Sequence, residues 1–546
     1  MTTGDTAAMG ATVGGFVIRL LEAYGVEVVF GMPGVHTLEL YRGLEGASIR
    51  HVLVRHEQGA GFAADGYARV TGKPGVCLLI SGPGVTNAAT PMGQAYSDSV
   101  PMLVISSTCK TDSLGKGWGM LHEVTDQCAA TAPLTAFSRT VFSAEDVSDA
   151  MAQAFAVFSA GRPRPVHIEI PIDVLARSCN LKPAAAAPAA PPAASGDEID
   201  RAAGMLSTAA TPAIIVGGGA RAAGAAIAEI AEHCGAAILT TEAAKGCVPD
   251  DHPLHLGAQI HRDEVRALLR DADTVLVLGS ELAETDTWGD RLEFGGQLIR
   301  VDIDPAKLTD RCPPALAIHA DAGTTAARIA AALPANQVAP CRAEAGGRAE
   351  AEDRVAGLKA RFVADLDVLS LRHLEVLEVL RAVLPDDGVI MTDMTQIAYT
   401  GGRGFPVSRP GCWFHPSGYG TLGYALPAAV GAKLGAPERP VVALVGDAGL
   451  LFTVQELATA VDEGLCLPIL LWNNDGLGQI RDDMIAQGIA EIGVNPRNPD
   501  YIALARAFGC RTAAPGTPEE LGPALEDALA HSGPTLIEMR DWGARP

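Results

Sequence analysis

Two stretches of this 546-residue chain pass through the same series of patterns. GFAADGYARVTGKPGVCLLISGPG (61–84) gives helical spacing, an apolar run and a glycine turn, and is followed by a helical stretch and VPMLVISS. GYALPAAVGAKLGAPERPVVALVGDAG (423–449) does the same and leads into LPILLWNN. Gly61 aligns with Gly423, Pro74 with Pro440, Gly82 with Gly446 and Pro101 with Pro468, at offsets of 362, 366, 364 and 367. An unbroken apolar run bounded by turn residues suits a strand buried on both faces, and strands alternating with helices imply a parallel sheet. Two copies of one α/β fold are therefore expected within the chain.

Two seams divide it further. KPAAAAPAAPPAASGD (182–197) cannot form a packed core, and PANQVAPCRAEAGGRAEAEDR (334–354) is a looser break. The expected organisation is three doubly wound parallel-sheet α/β domains, at 10–180, 197–333 and 365–546. A hydrophobic share of 48% fits a globular chain, and a formal charge of −23 opposes a nucleic-acid partner held through phosphates. The eleven cysteines form no C-x-x-C pair, and MTTGDTAAMG has neither the basic nor the apolar part of a signal peptide. With no 18-residue charge-free apolar span, a cytoplasmic protein with no membrane partner is expected.

The central block carries PAIIVGGGARAAGAAIAEIAEHCGAAILTT, a strand, a Gly217-Gly218-Gly219 turn and a helix. A glycine turn at a helix start can cradle phosphate. Asp302 and Asp304 stand after a later strand, away from the dinucleotide spacing, so a structural Rossmann-like domain is the better reading.

VVALVGDAGLLF (441–452) poses a sharper question, because Asp447 follows a buried apolar run between Gly446 and Gly449. A second run ends on Asn473-Asn474, and Asp447 and Asn474 are 27 positions apart (474 − 447) with one helix between them. Alone, each has an ordinary explanation, as a helix cap or a turn residue. Together, at the carboxyl ends of successive parallel strands, they suit a hard cation. Asp447, Asn474 and a carbonyl of the Gly476 turn would hold Mg²⁺ against a diphosphate.

On these residues the chain resembles the thiamine diphosphate-dependent decarboxylase/acetolactate synthase family, over nearly its whole length. Ala448 stands where glycine is commoner in the G-D-G motif. The resemblance makes the third block the diphosphate-binding domain and the first the aminopyrimidine-binding domain. It implies that Glu57, in RHEQGAGF, hydrogen-bonds N1′ of the pyrimidine and favours the imino tautomer that takes up the thiazolium C2 proton. It also implies a Gly420 carbonyl facing the 4′-amine, Leu422 as the apolar wedge beneath the bent cofactor, and diphosphate contacts from Thr395 and Gln396. FGMPG with Gly34 and GPGVTN with Asn87 resemble the loops around the pyrimidine. His122, beside Glu123 in GMLHEVTDQ, is a candidate for proton transfer or substrate contact. In this family the two half-sites come from different subunits, which implies a homodimer or homotetramer.

The helix after the motif, GQIRDDMIAQG, is where the family faces its substrate, which makes Gln479, Ile480 and Asp483 candidates. Gln479 and Asp483 are four apart and share a helix face. A carboxylate in a closed pocket needs a partner, and a guanidinium pairs with it bidentately. Asp482 is read as solvated or paired with Arg481. The wider text is most similar to 5-guanidino-2-oxopentanoate (2-ketoarginine) decarboxylases, with Leu477 where tyrosine is common. The expected activity is non-oxidative decarboxylation of a 2-oxo acid. The alternatives are carboligation of pyruvate to acetolactate, with which a flavin dinucleotide (FAD) in the central block would go and which is not expected here, and a non-catalytic relative.

Overall fold

The computed structural model describes residues 12–289, 291–333 and 347–540. Most of the looser seam (334–346), the leading segment 1–11 and the tail 541–546 lie outside the described residues.

Three parallel sheets account for the strands. The first contains β1 (Val28–Gly31), β2 (Arg50–Leu53), β3 (Gly75–Leu79), β4 (Met102–Thr108), β5 (Phe137–Thr140) and β6 (Val166–Pro171), in the order β2-β1-β3-β4-β6-β5. The second contains β7 (Pro212–Val216), β8 (Ala237–Thr240), β9 (Thr274–Leu278), β10 (Gln297–Asp302) and β11 (Leu316–His319), ordered β11-β10-β9-β7-β8. The third contains β12 (Val389–Thr392), β13 (Trp413–Phe414), β14 (Val441–Gly446), β15 (Leu467–Asn473), β16 (Arg511–Ala513) and β17 (Pro534–Arg540), ordered β13-β12-β14-β15-β17-β16. The first and third sheets thus share one topology, as their matching motifs require. β3, β4, β14 and β15 are buried along their whole length, which is why their sequences are apolar runs without alternation.

The Pro/Ala seam has no regular structure until Ser195, whose side chain and Glu198 form a capping box that starts the helix Gly196–Thr208. The first and third domains meet through the helices Glu57–Thr71 and Ala425–Gly435. These pack backbone to backbone: a Cβ on Gly66 would lie 2.0 Å from the Ala428 carbonyl oxygen, and one on Gly431 1.8 Å from that of Ala63. Beside the crossing, Arg69 donates to Asp65 and Asp98 at 2.6 Å each, and the Tyr424 hydroxyl donates to Asp65 at 2.6 Å. This network is almost dry, and burial raises the Asp98 carboxyl above its usual range although Arg69 opposes the shift. The ten described cysteines are all free.

Candidate active site

The order of strand addition in the third sheet reverses between β12 and β14, the switch point at which an open α/β sheet leaves a crevice. A cavity of about 200 Å³ lies there. Thr395 and Gln396 enter it from the end of β12, Gly446, Asp447, Ala448 and Gly449 from β14, and Asn474 and Gly476 from β15. Gly420 and Leu422 form another wall, and Gln479 and Ile480 close it from the helix Gly478–Ala486. Twelve residues read from the sequence therefore share one cavity.

Its floor gathers oxygen acceptors from adjacent strand ends. β14 and β15 are neighbours, with Gly446 opposite Trp472, so Asp447 and Asn474 leave adjacent strand ends. The Asp447 carboxylate accepts from the Gly476 amide at 2.9 Å and from Asn498 Nδ2 at 2.7 Å. Burial raises its pKa, so the ionised form lacks a compensating charge. As placed, Asn474 Oδ1 faces the Gly476 carbonyl oxygen (2.8 Å) and Asp447 Oδ1 (3.2 Å), with no donor between them among the described residues. Two acceptors thus converge where a positive partner is wanted. Asp475 takes a left-handed φ of 57°, which turns the chain so that the Gly476 carbonyl faces this point.

Glu57, Asn87, Gly34 and His122 do not line this cavity; they gather on the first domain. Glu57 opens its helix and is nearly buried, and Asn87 Nδ2 donates to its Oε2 at 2.9 Å. The turn Ser81–Gly84 collects the rest. A Cβ on Gly84 would sit 3.4 Å from Glu57 Oε1, one on Gly82 would strike the His122 carbonyl at 2.5 Å, and one on Gly34 would strike Ile80. His122 has φ 61° and a buried Nδ1 without a partner among the described residues. Its neighbour Glu123 is occupied structurally, accepting from the amides of Gly117, Gly119 and Met120.

In the central domain two amides of the Gly217–Gly219 turn bond the neighbouring strand end. Gly217 donates to Leu278, Gly219 to Gly279 and Ala220 to Gly217, while Gly279 packs its backbone against Gly219. Glu281 next to it gathers Arg162, Arg164 (3.6 Å) and Lys307 (2.8 Å). The turn is a close junction between the strand ends at Gly217 and Gly279.

Three family models match in register with the three sheets. They are the thiamine pyrophosphate enzyme N-terminal binding domain over 11–130, the central domain over 199–329 and the C-terminal binding domain over 393–539. The chain belongs to the thiamine pyrophosphate enzyme family. This thiamine pyrophosphate enzyme is 52% identical to a Pseudomonas aeruginosa protein named "Probable 2-ketoarginine decarboxylase", across 98% of this chain and 95% of that protein. It is 33% identical to the acetolactate synthase isozyme 1 large subunit of Escherichia coli (96% and 93%) and 34% identical to the Corynebacterium glutamicum acetolactate synthase large subunit (96% and 86%).

Several residues that shape this enzyme's sites carry no local sequence mark. Asn498 reaches Asp447 from a loop 51 positions on, and the Tyr501 hydroxyl donates to the Asp447 carbonyl at 2.9 Å. Gln127 accepts from the Gly82 amide at 2.7 Å and donates to Glu169 at 2.7 Å, fixing the turn beside Glu57. His36 lies 2.6 Å from Ser81 Oγ, its ring 5.1 Å from that of His122. On the helix Gly478–Ala486, Asp482 accepts from Gln396 Nε2 at 2.8 Å, and Asp483 accepts from Gln479 at 3.1 Å. Asp482 is thus held inward by a cavity residue rather than solvated, while Arg481 bonds Asn495 instead of either aspartate.

Proposed function

We propose that this enzyme decarboxylates 5-guanidino-2-oxopentanoate without oxidation, giving 4-guanidinobutanal and CO₂, with Mg²⁺ as its diphosphate-bound ion. The observation that carries the reading is the pair Asp482 and Asp483, on the helix that closes the cofactor cavity. Carboxylates there favour a substrate with a cationic tail, and a guanidinium offers paired donors in a plane. The name of the 52% identical relative points to the same substrate.

Asp447, Asn474 and the Gly476 carbonyl form an all-oxygen donor set suited to Mg²⁺, which commonly takes phosphate oxygens and waters as its remaining ligands. Thr395, Gln396 and the glycine-lined turn at Gly446–Gly449 would receive the diphosphate. When bound, thiamine diphosphate supplies the nucleophilic carbon and the electron sink for loss of CO₂. The chain's part is to hold and to move protons. Asn87, which donates to Glu57, would hold that carboxyl for proton sharing with the pyrimidine, the Gly420 carbonyl would accept from the amine, and Leu422 would give the cofactor apolar support. His122, which packs against Gly82 as Glu57 does near Gly84, would contact substrate or pass a proton.

Glu57 does not line the cavity that contains Asp447, which supports active centres shared between subunits of a homodimer or homotetramer. Exposed apolar side chains near each half-site, among them Leu53 and Leu121 on one and Leu451 and Phe452 on the other, favour the same arrangement. A cytoplasmic location agrees with this reading.

The test is CO₂ release from 2-ketoarginine, pyruvate, 2-oxoisovalerate and benzoylformate, by protein supplied with thiamine diphosphate and Mg²⁺. A clear preference for 2-ketoarginine is expected. Preference for pyruvate, with acetoin appearing after acid treatment, would move the protein to carboligation.

A further inference from the structure

Tyr399 is the cavity residue that neither the cofactor nor the fold accounts for. It stands one turn beyond Gln396 on the helix Gln396–Gly404 and lines the same cavity as Gln479 and Ile480. Its hydroxyl has no hydrogen-bond partner among the described residues. Its ring is held edge-on to His415, with centroids 5.8 Å apart and planes at 89°, and His415 is itself fixed 2.7 Å from Thr392 Oγ1. The phenol therefore has a set position and an unused oxygen. Its surroundings are acidic: burial first, then Asp393, Asp483 and Glu242, push its pKa up to about 12, so it keeps its proton.

The other acidic groups nearby are largely committed. Asp393 accepts from the amides of Gly423 and Met394, Glu242 from Trp413 Nε1 at 2.9 Å, and Asp482 from Gln396. Asp483 has one contact, from Gln479, and remains exposed. The phenol lines the cavity. Asp483, outside its lining, is bonded to the lining residue Gln479, on a helix tied to that of Tyr399 by the Gln396–Asp482 bond. Together they suit a group that is cationic, planar and rich in N–H donors. An ammonium, as a point charge, satisfies only part of this arrangement.

We propose that Tyr399 is a specificity-determining residue, its phenol oxygen accepting one N–H of the substrate guanidinium while Asp483 takes two others along an edge. This rests on the 2-ketoarginine reading above and names the residues that enforce it.

The experiment compares kcat/KM for 2-ketoarginine with that for the uncharged 2-oxohexanoate, in wild type, Tyr399→Phe and Asp483→Asn holoenzymes. Calorimetry on the same holoenzymes gives Kd for 4-guanidinobutanoate, a ligand that cannot react. Tyr399→Phe removes one oxygen and keeps the ring against His415. It should cut the preference for 2-ketoarginine at least tenfold and weaken 4-guanidinobutanoate by a similar factor, with 2-oxohexanoate turnover within about twofold of wild type. Asp483→Asn should do the same more strongly. A wild type that prefers 2-ketoarginine while Tyr399→Phe keeps both the ratio and the Kd overturns this inference alone. A wild type that does not prefer 2-ketoarginine overturns the substrate reading beneath it.

Discussion

Replacing Gly431 by alanine tests how the two cofactor-facing domains are joined. The new methyl would lie 1.8 Å from the Ala63 carbonyl oxygen and 2.6 Å from its carbon. Both belong to helix backbone, which cannot rotate away as a side chain could, so the helices Glu57–Thr71 and Ala425–Gly435 must separate. Overpacking of this kind costs about 1–3 kcal/mol, and so rigid an obstacle belongs at the upper end. Alanine returns up to about 1 kcal/mol of helix propensity. The net expectation is a loss of about 2 kcal/mol, read as a lower urea midpoint by tryptophan fluorescence. Gly66→Ala, with its methyl 2.0 Å from the Ala428 carbonyl oxygen, should cost as much. The double variant should lose less than the sum, because the first methyl has already opened the gap the second needs. Glu57 heads one of these helices, so cofactor affinity should fall in step. Single variants as stable as wild type, or strict additivity, would refute the argument that backbone contact sets the spacing.

Glu57→Gln should lower CO₂ release at least a hundredfold while calorimetry shows diphosphate binding largely kept, since that binding belongs to the other domain. Arg69→Met leaves the Asp65 and Asp98 carboxylates buried without their cation and should destabilise by about 3–5 kcal/mol, visible as a much lower melting temperature. Glu456 predicts a pH effect. This buried side chain accepts from the Arg55 amide and Thr459, and burial pushes its pKa up to about 7 from 4.5. The folded state then holds a proton that the unfolded state releases, so this contribution to stability is whole below pH 4.5, declines as pH rises, and is gone above 7. Taken over the full shift it is on the order of 3 kcal/mol. Glu456→Gln should flatten the melting temperature between pH 5 and 8; an unchanged slope would remove Glu456 as its source.

What the sequence disclosed follows from how locally each feature is encoded. Asp447 and Asn474 were legible because parallel strands place consecutive strand ends side by side, so a pattern spread over 27 positions (474 − 447) becomes one floor. The repeat was legible because apolar runs and glycine turns recur in order. Asn498 and Gln127 left no trace, since an amide in a loop looks the same whether it holds a carboxylate or faces water. Tyr399 was hidden by its helix, where an aromatic at that spacing reads as core. The Asp482–Gln396 pairing depends on how two helices from different strand ends are aimed at each other, which neither segment specifies alone. The glycine triplet at 217–219 was legible as a turn, but the bonding of two of its amides to the neighbouring strand end was not.

The helix crossing also bears on ancestry. Gly431 meets Ala63, and Gly66 meets Ala428. The two glycines are separated by the same offset as the two alanines, 365 (431 − 66 and 428 − 63), which falls within the spread of the repeat itself. The contact is therefore self-complementary, each residue touching the counterpart of its own neighbour, as happens across a molecular two-fold. Such pseudo-symmetry is what fusion of two copies of a homodimer-forming chain would leave, with the seam between the lobes under joint constraint. Drift at either glycine needs an answer on the opposite helix, so the most slowly changing part of such a lineage should be this featureless crossing as much as the chemistry it separates.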